Sequence, residues 1–437
     1  MNRLLTAKPS VRLRIALYGH LNQHLGSSSG SHYLLLGQLL ESGHLVTLYA
    51  IEGFVSPQGH SLHPNLQFVP AKIAWIDGIF EAGFRFLPRA VSWIYGWIVN
   101  TFRMQLYYHA IGNRIESDHR KVPYDALLVV DLANPFRKIR GLPCLNWTQG
   151  SSYGEWEAIW SQRHNLARYK SCLFVFAILV YYRIRIALSR RLVWTTEWLI
   201  CCSKWTKRAW NATGFPADRI SVIPFALDLD LFQPVSASVP VVPGLRHGAG
   251  PTLLHLGRIV PRKRLDLLIE AFRLVLEREP HARLIVIGRF AYAERYRELL
   301  DPPHCPPRVE HREGLSRHEV PALLGAVDVV VQTSENEDFG STVMEALGCG
   351  VPAVVGPTNG TGEYGGEGLY QFGSYGPQAV ADTILLAWND VRASDPVVRK
   401  AAIRRTAERH FSPHLIANKV ENLICSICRA NSSGTHD

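Results

Sequence analysis

Short apolar runs alternate with segments of helical character along the first half of the chain. The runs are Arg14–Tyr18, Leu45–Tyr49, Leu66–Val69, Ala126–Val130, Cys144–Trp147, Trp198–Cys202 and Ser221–Ile223. An apolar run that is not interrupted by polar residues is typical of a parallel strand covered on both faces. The alternation with helices therefore predicts an α/β domain with a doubly wound parallel sheet.

The second half repeats this pattern after a segment of different composition. Residues 234–251 are rich in Pro, Val and Gly and have no helical period, so they are predicted to be a linker. Further strands are predicted at Thr252–Leu256, Arg283–Ile287, Val327–Val331 and Ala353–Val355. An amphipathic helix at 264–276 presents one apolar stripe. A chain of 437 residues can build two such domains, at 1–233 and 252–412.

The stretch SENEDFGSTVMEALGCGVPAVVG, residues 334–356, carries the strongest candidate chemistry. A polar loop follows a predicted strand and leads into a helix from about Ser341 to Gly348. Parallel sheets bind ligands at this edge, and helix N-termini attract phosphate. Glu337 and Glu345 lie there, and carboxylates are good acceptors for sugar and ribose hydroxyls. Alternatively, Thr342 and Glu345 form a capping box that only secures the start of the helix.

Two Glu separated by seven residues, with Phe-Gly after the first, resemble the signature of family 4 of the retaining glycosyltransferases. Three further segments resemble the same family, namely HLGRIVPRKRLDLLIEAF (255–272), SKWTKRAWNATGFPADRISVIPFALDLDLFQP (203–234) and SHYLLLGQLLESGHLVTLYA (31–50). The resemblance implies the GT-B fold, in which two Rossmann-like domains face a central cleft. It also implies that the terminal helix, within 413–437, crosses back onto the first domain.

The resemblance implies transfer of a sugar from a nucleoside-diphosphate sugar to an acceptor hydroxyl. Arg258 and Lys263 would be catalytic as a clamp on the leaving diphosphate, because positioned cations stabilise developing negative charge. Alternatively, they belong to a solvated basic cluster. Glu337 would bind the donor sugar as the third catalytic residue. The remaining predicted donor-binding residues are Gly26, Gly30, Gly257, Phe339, Gly340, Ser341 and Glu345. Gly26 and Gly30 belong to a Gly/Ser loop that would approach the ligand through its backbone.

The acceptor side departs from the family pattern. Relatives often carry His-Gly after the strand that ends near residue 147, whereas this chain carries Gln149-Gly150. A glutamine can hold a sugar hydroxyl, but it cannot act as a base near neutral pH. The acceptor-side catalytic assignment therefore stays open, and possible substitutes are His20, His24, His32 and His164.

Most of the net charge of +10 comes from residues 162–208, which hold ten basic residues and one acidic residue, Glu197. They enclose an uncharged apolar run, Cys172–Tyr182. Eleven helical residues span about 16 Å, which is too short for a bilayer core of about 30 Å. The run is therefore predicted to be a buried helix of the first domain, with an interfacial helix as the alternative.

Ten aromatic residues lie between Trp75 and Tyr108, interleaved with Arg85, Arg89 and Arg103. No RNA-binding signature accompanies them, so we expect no nucleic-acid partner. Membrane-interface anchoring or an apolar acceptor site is one explanation, and ordinary helix packing is the other. Together with the basic segment, the aromatics predict peripheral association with an anionic membrane surface.

No cofactor and no essential metal are expected. Cys425-x-x-Cys428 lacks the second pair that a tetrahedral zinc site needs, and Asp228-x-Asp230 lies where the family carries a structural Asp. The N-terminal residues show no apolar signal region, which predicts a cytoplasmic protein, peripheral at the inner face of the membrane.

The predicted function is that of a retaining glycosyltransferase in the synthesis of cell-surface polysaccharide, lipopolysaccharide or lipid-linked glycans. Its partners would be a UDP-, GDP- or ADP-sugar and a glycan or lipid-linked acceptor. One alternative is an inactive relative that binds a sugar nucleotide as a sensor or scaffold. Others are an epimerase or a phosphorylase of the same fold.

Overall fold

The chain is described by a computed structural model. The structure describes residues 12–19, 21, 27–52, 60, 63–79, 89–131, 133–234, 249–291 and 294–433.

The first half of the described chain builds a parallel sheet in the order β3-β2-β1-β4-β5-β6-β7. Its strands are β1 Arg14–Gly19, β2 Leu45–Ile51, β3 Leu66–Ala71, β4 Ala126–Val130, β5 Cys144–Thr148, β6 Trp198–Cys201 and β7 Ile220–Val222. Every predicted strand of this half is present, with ends that differ by two residues or fewer. The apolar runs of the inner strands are buried because helices cover both faces of the sheet, whereas no residue of the edge strand β3 is buried.

Helices of the first half connect these strands. They are α1 Ser27–Glu41, α2 Arg89–Lys121, α3 Ser152–Ser161, α4 Arg163–Tyr169, α5 Cys172–Ser189, α6 Leu192–Thr195 and α7 Lys204–Ala212.

The second half builds another parallel sheet, in the order β10-β9-β8-β11-β12-β13. Its strands are β8 Thr252–Leu256, β9 Arg283–Ile287, β10 Val309–Arg312, β11 Val329–Gln332, β12 Ala353–Val355 and β13 Leu369–Gln371. The pattern analysis missed β10 and β13. Both are short edge strands with no fully buried residue, so neither has a continuous apolar run.

Helices of the second half cover this sheet and continue to the end of the described chain. They are α8 Leu265–Arg278, α9 Val320–Gly325, α10 Ser341–Gly348, α11 Pro377–Ala393, α12 Pro396–Phe411 and α13 Pro413–Ser433. The amphipathic pattern at 264–276 is α8, and the helix from Ser341 to Gly348 is α10 with the predicted ends.

The terminal helix α13 returns to the first sheet. It packs on α1, and the imidazole Nε2 of His44 lies 3.5 Å from a carboxylate oxygen of Glu421. The Cys428 thiol donates to the backbone carbonyl of Asp125. The last described helix therefore packs against the half of the molecule that contains α1 and β4. Most of the predicted linker, residues 235–248, lies outside the described residues.

Two sequence predictions in the first half are wrong. Helix α1 begins at Ser27, so Gly30 lies within a helix and not in a ligand-binding loop. The apolar run in α5 is not a buried helix, because only Val175 and Ile186 of α5 are buried. An uncharged helical run looks the same in sequence whether the domain covers it or leaves it exposed.

Some residues of the aromatic stretch fit ordinary helix packing, and others are exposed, as membrane-interface anchoring or an apolar acceptor site requires. Tyr107 is buried, and its hydroxyl donates to Asp77 at 2.6 Å, which is ordinary packing. Trp75 and Phe102 are exposed by more than half of their surface. Residues 80–88, which include three of the aromatics, lie outside the described residues.

Candidate active site

The predicted donor residues of the second half lie where β8 and β11 end at the carboxyl edge of the second sheet. After β8, the backbone of Gly257 has a φ of +144° and its N–H donates to the carbonyl of Ile287. A Cβ on Gly288 would lie 1.8 Å from the Gly257 carbonyl oxygen. The two strand ends can approach this closely only because residue 288 is a glycine, whereas glycine at 257 allows the positive φ. This turn presents Arg258, whose side chain is exposed.

Lys263 ends a short 3-10 turn just before α8. The Thr333 hydroxyl, which follows β11, lies 3.0 Å from the Lys263 carbonyl and 2.9 Å from that of Arg264. Arg264 has a left-handed backbone and forms an ion pair with Glu335 at 3.1 Å. The end of β11 therefore fixes the basic turn that follows β8.

Glu337 is the centre of a buried charge cluster. Its carboxylate accepts a hydrogen bond from the Lys263 ammonium and lies 3.1 Å from the guanidinium of Arg262. Burial by itself would raise the pKa of Glu337, but the charges of Arg262 and Lys263 outweigh it and lower the pKa to about 2. Burial lowers the pKa of Lys263. The predicted sugar-binding carboxylate thus stays ionised and holds the predicted diphosphate cation in place.

Glu345 is buried on α10 and forms a second ion pair. Its carboxylate lies 3.1 Å from the guanidinium of Arg317, which also stacks over the ring of Phe232 at 5.0 Å. Burial raises the pKa of Glu345 despite this cation. The alternative capping box does not form, because the Thr342 hydroxyl donates to the carbonyl of Leu256 and Gly340 is the N-cap.

The residues between the two glutamates shape the start of α10. Gly340 has a φ of +84°, and a Cβ there would lie 2.9 Å from the side-chain amide of Asn359. The ring of Phe339 is buried against Phe225 and Phe411, so it contributes packing and its backbone alone can face a ligand. Ser341 is the first residue of α10, where backbone N–H groups have no partner within the helix.

The first sheet approaches the same loop from the other side. A Cβ on Gly150 would lie 2.6 Å from a carboxylate oxygen of Asp338, the neighbour of Glu337. The Trp210 indole N–H donates to the Gly150 carbonyl at 3.0 Å and fixes this wall. Gln149 stands beside it and is partly exposed. The structure thus brings Gly150 to the predicted donor loop.

Asp338 connects the two halves. Its backbone carbonyl accepts a hydrogen bond of 2.6 Å from the Ser203 hydroxyl, and its carboxylate accepts one of 3.2 Å from Thr206. Burial, followed by repulsion from Glu155, raises the pKa of Asp338 to about 8. Adjacent carboxyl groups therefore shift in opposite directions, because Glu337 faces two cations and Asp338 faces the uncharged hydroxyls at the start of α7.

Sequence reasoning missed Arg262, Arg317 and Asp338 as members of this site. Arg262 lies among adjacent basic residues that nothing in the sequence distinguishes from a solvated cluster, and nothing in the sequence links Arg317 to a carboxylate 28 positions away. Gly30 lies in α1, and Gly26 lies outside the described residues. Lys263 and Glu337 form one ion pair, and Glu345 forms a separate one with Arg317, so the roles that the motif predicts for them stay predictions.

None of the substitute histidines is shown to be a base at this site. His32 is fully buried in α1 between Trp147 and Phe225, and burial lowers its pKa to about 3. His164 is exposed on α4. His20 and His24 lie outside the described residues.

The described residues contain no group of three or more His, Cys, Asp or Glu side chains that could hold a metal ion. Asp228 accepts a hydrogen bond of 2.9 Å from the backbone of Leu231, so it stabilises a turn. Cys425 and Cys428 are reduced thiols on α13, and that of Cys428 donates to the Asp125 carbonyl.

Comparison with known proteins connects this geometry to a family. Residues 244–404 match the family described as glycosyl transferases group 1. The chain is 28% identical over 219 residues to the GDP-mannose-dependent alpha-(1-6)-phosphatidylinositol monomannoside mannosyltransferase of Mycolicibacterium smegmatis. The aligned region covers 48% of this chain and 56% of that protein. The chain thus spans about half the length of this curated relative.

Solved structures with the same fold cover nearly the whole chain. Sucrose-phosphate synthase from Thermosynechococcus elongatus matches with a TM-score of 0.67 at 17% identity, over 96% of this chain and all of that one. HepE from Anabaena in complex with UDP and glucose matches with a TM-score of 0.60 at 16% identity, over 95% and 100%. The predicted fold and the resemblance to family 4 are confirmed.

Proposed function

We propose that this chain, whose residues 244–404 belong to the group 1 glycosyl transferases, moves a sugar from a nucleoside-diphosphate sugar to an acceptor hydroxyl with retention at the anomeric carbon. The observation that carries the proposal is the cluster of Lys263, Arg262 and Glu337 on the same sheet edge as the Glu345–Arg317 pair. Cations for a diphosphate and carboxylates for sugar hydroxyls lie within one loop system.

The donor half binds the nucleotide and stabilises the leaving group. Glu345 would accept hydrogen bonds from the ribose hydroxyls, with Arg317 holding the carboxylate in position. Arg258 and Lys263 would neutralise the charge that develops on the diphosphate, and the N-terminus of α10 would add backbone donors. Glu337 would accept a hydroxyl of the donor sugar while it keeps Lys263 oriented.

The acceptor half needs no protein base if the leaving phosphate takes the acceptor proton. The bond from the anomeric carbon to the phosphate oxygen breaks, and a bond to the acceptor oxygen forms on the same face. The acceptor proton moves to the departing phosphate oxygen, so atoms and charge balance. Gln149 would then only orient a hydroxyl, and neutral His32 packs against Trp147 and Phe225.

We also propose the donor, the acceptor and the cellular location of this reaction. The Mycolicibacterium smegmatis relative is named for GDP-mannose and a phosphatidylinositol mannoside, which makes GDP-mannose the first donor to test and a lipid-linked glycan the first acceptor. We propose that transfer needs no metal and occurs at the cytoplasmic face of a membrane, in the synthesis of a cell-surface or lipid-linked glycan.

A second candidate is a catalytically inactive relative that senses a sugar nucleotide. Gln149 is the observation that favours it, because the position lacks a titratable group. In that case nucleotide binding would survive without any release of nucleoside diphosphate.

The deciding experiment incubates the protein with UDP-, GDP- and ADP-sugars, with and without a membrane lipid extract. We expect one donor to release its nucleoside diphosphate faster with the extract, without added metal, and NMR to show a retained anomeric configuration. In the same assay, Arg258→Ala should lower turnover. Its matched control is Arg295→Ala, because Arg295 is exposed and pairs only with its helical neighbour Glu298 in the described structure.

Other outcomes would contradict this function in distinguishable ways. Binding without release in every mixture would indicate the sensor. A requirement for inorganic phosphate would indicate a phosphorylase, and an epimer formed without acceptor would indicate an epimerase. An inverted product would overturn the retaining mechanism alone.

A further inference from the structure

Helix α5 carries a line of large apolar side chains that the protein does not cover. The line is spaced by three or four residues, which places its members on one helical face. It consists of Leu173, Phe176, Val180, Ile184 and Leu188, with exposed fractions of 76%, 66%, 41%, 56% and 64%. We call these five residues the α5 stripe. Monomeric proteins seldom leave such a continuous apolar face in water, so the α5 stripe calls for a partner.

The opposite side fixes α5 to the first domain. Val175 and Ile186 are buried, and α5 packs along α3. The Ser171 hydroxyl caps the start of α5 by accepting a hydrogen bond of 3.2 Å from the backbone of Phe174. The α5 stripe is therefore the outer face of a helix that the fold holds in place.

The cations of α5 lie against aromatic side chains and not along the apolar line. The Arg183 guanidinium lies 5.5 Å from the ring centre of Trp156 on α3. Arg185 donates to the Tyr181 hydroxyl at 2.9 Å. Long basic side chains take this arrangement when their stems border an apolar phase and their charges reach its polar rim.

Both ends of α5 carry further positive charge. Lys170 precedes the helix, and its ammonium lies 5.5 Å from the ring centre of Phe174. Arg190 and Arg191 follow the helix and are exposed. Trp194, on α6, is 78% exposed, and tryptophan is enriched at membrane–water interfaces. Basic charge around an apolar face complements anionic lipid headgroups.

A spanning helix is incompatible with the topology. The segment Cys172–Thr195 is long and apolar enough to cross a membrane by length and composition, and its most apolar stretch is 11% buried. However, α5 lies between β5 and β6, which pair in one sheet through Leu145 and Trp198. An α5 of 18 residues spans about 27 Å, so crossing would place its ends on opposite sides of the bilayer.

We propose that the α5 stripe is a membrane-docking surface that lies in the plane of an anionic bilayer. The apolar side chains enter the boundary between headgroups and acyl chains, and Lys170, Arg190 and Arg191 bind lipid phosphates. The surface belongs to the acceptor half of the molecule. It adds to the proposed function by giving a lipid-linked acceptor a fixed approach to the cleft, but its test does not require transfer activity.

The test is co-sedimentation of the full-length chain with vesicles of phosphatidylcholine and phosphatidylglycerol at low salt. The double variant F176E/I184E places charge on the α5 stripe. The matched control V397E/V398E changes two apolar residues on α12 that are somewhat more exposed than Phe176 and Ile184, at 77% and 67%. We expect F176E/I184E to bind vesicles at least about tenfold more weakly, and the control to bind like the natural chain.

Two further measurements keep the test decisive. Circular dichroism and nucleotide binding should match among the three proteins. If either measurement reveals a folding defect in F176E/I184E, the milder variant F176S/I184S takes its place. Vesicles of phosphatidylcholine alone should bind more weakly, because they lack anionic headgroups.

Several results would overturn the proposal. One is that the natural chain stays in the supernatant, and another is that F176E/I184E sediments like the control. Dimers that form without lipid and are lost in F176E/I184E would show that a second copy covers the α5 stripe. Resistance of the bound protein to an alkaline carbonate wash would show insertion across the bilayer. Failure of sugar transfer would leave this result unchanged, since sedimentation needs no donor.

Discussion

The loop system around Glu337 and the surface of α5 differ in the kind of side chain that each places in an unfavourable environment. At Glu337, charges are buried and each carboxylate of the motif has a cation within 3.1 Å. On α5, apolar groups are exposed and the helical cations lie against aromatic rings. A buried charge needs a partner supplied by the fold, whereas an exposed apolar face needs one from outside it. The contrast indicates that one region is complete in the single chain and the other is not.

The largest effect should come from breaking a buried pair. Glu345→Ala leaves the Arg317 guanidinium buried without its carboxylate, so the free energy of unfolding should fall by about 3–5 kcal/mol. Nucleotide binding should also weaken, because the ribose loses its acceptor. Chemical denaturation and calorimetric titration measure the two effects.

The double variant E345A/R317M separates stability from binding. It removes both charges, so we expect most of the stability to return while nucleotide binding stays weak. If the double variant regained binding, Glu345 would act only as a partner for Arg317, and the ribose assignment would be wrong.

Arg258→Ala should produce the next largest effect, on turnover alone. Arg258 is exposed, so the free energy of unfolding should change by less than about 0.5 kcal/mol. Loss of one stabilising cation at the diphosphate should reduce turnover by about a hundred- to a thousandfold. The measurement is the rate at which nucleoside diphosphate is released under saturating sugar nucleotide, with Arg295→Ala as the control. Unchanged turnover would remove Arg258 from the diphosphate clamp.

Asp338→Asn should change how stability depends on pH. Burial raises the pKa of Asp338 from 3.8 to about 8, so the folded state holds a proton that the unfolded chain releases above about pH 4. The natural chain therefore loses stability as the pH rises from 4 to 8. The amide of the variant cannot ionise, so this loss is absent from the variant, whose stability relative to that of the natural chain should rise steadily between pH 4 and pH 8. The two proteins should converge near pH 4, and parallel curves over the whole range would contradict the shift.

The smallest effect should come from F176S/L188S on α5. Both side chains are exposed, so the midpoint of thermal unfolding should stay nearly constant, with a free-energy change within about 0.5 kcal/mol. Truncation of a buried Phe costs about 3–5 kcal/mol. A loss of that size would show that the domain covers α5 in solution, and the contrast between the two regions would fail.

The parts of the site that were predictable are those encoded within a few neighbouring residues. Glu337 and Glu345 share one loop and helix, and the strand, loop and helix around them follow from the local pattern. Arg317 and Asp338 were missed because their partners come from distant segments. Thr206 lies 132 positions from Asp338, and no local rule relates the two.

Sequence alone determined the strands of both sheets other than the edge strands β10 and β13, and the residue types at the second sheet edge, because backbone periodicity and motif spacing are local properties. Tertiary structure decided which charges meet, which carboxyl groups stay ionised, and whether an apolar helix is covered. These outcomes depend on distances between segments far apart in the chain and on the water those segments exclude. For this reason the uncharged run of α5, read as core in the sequence, lies on the surface of the folded protein.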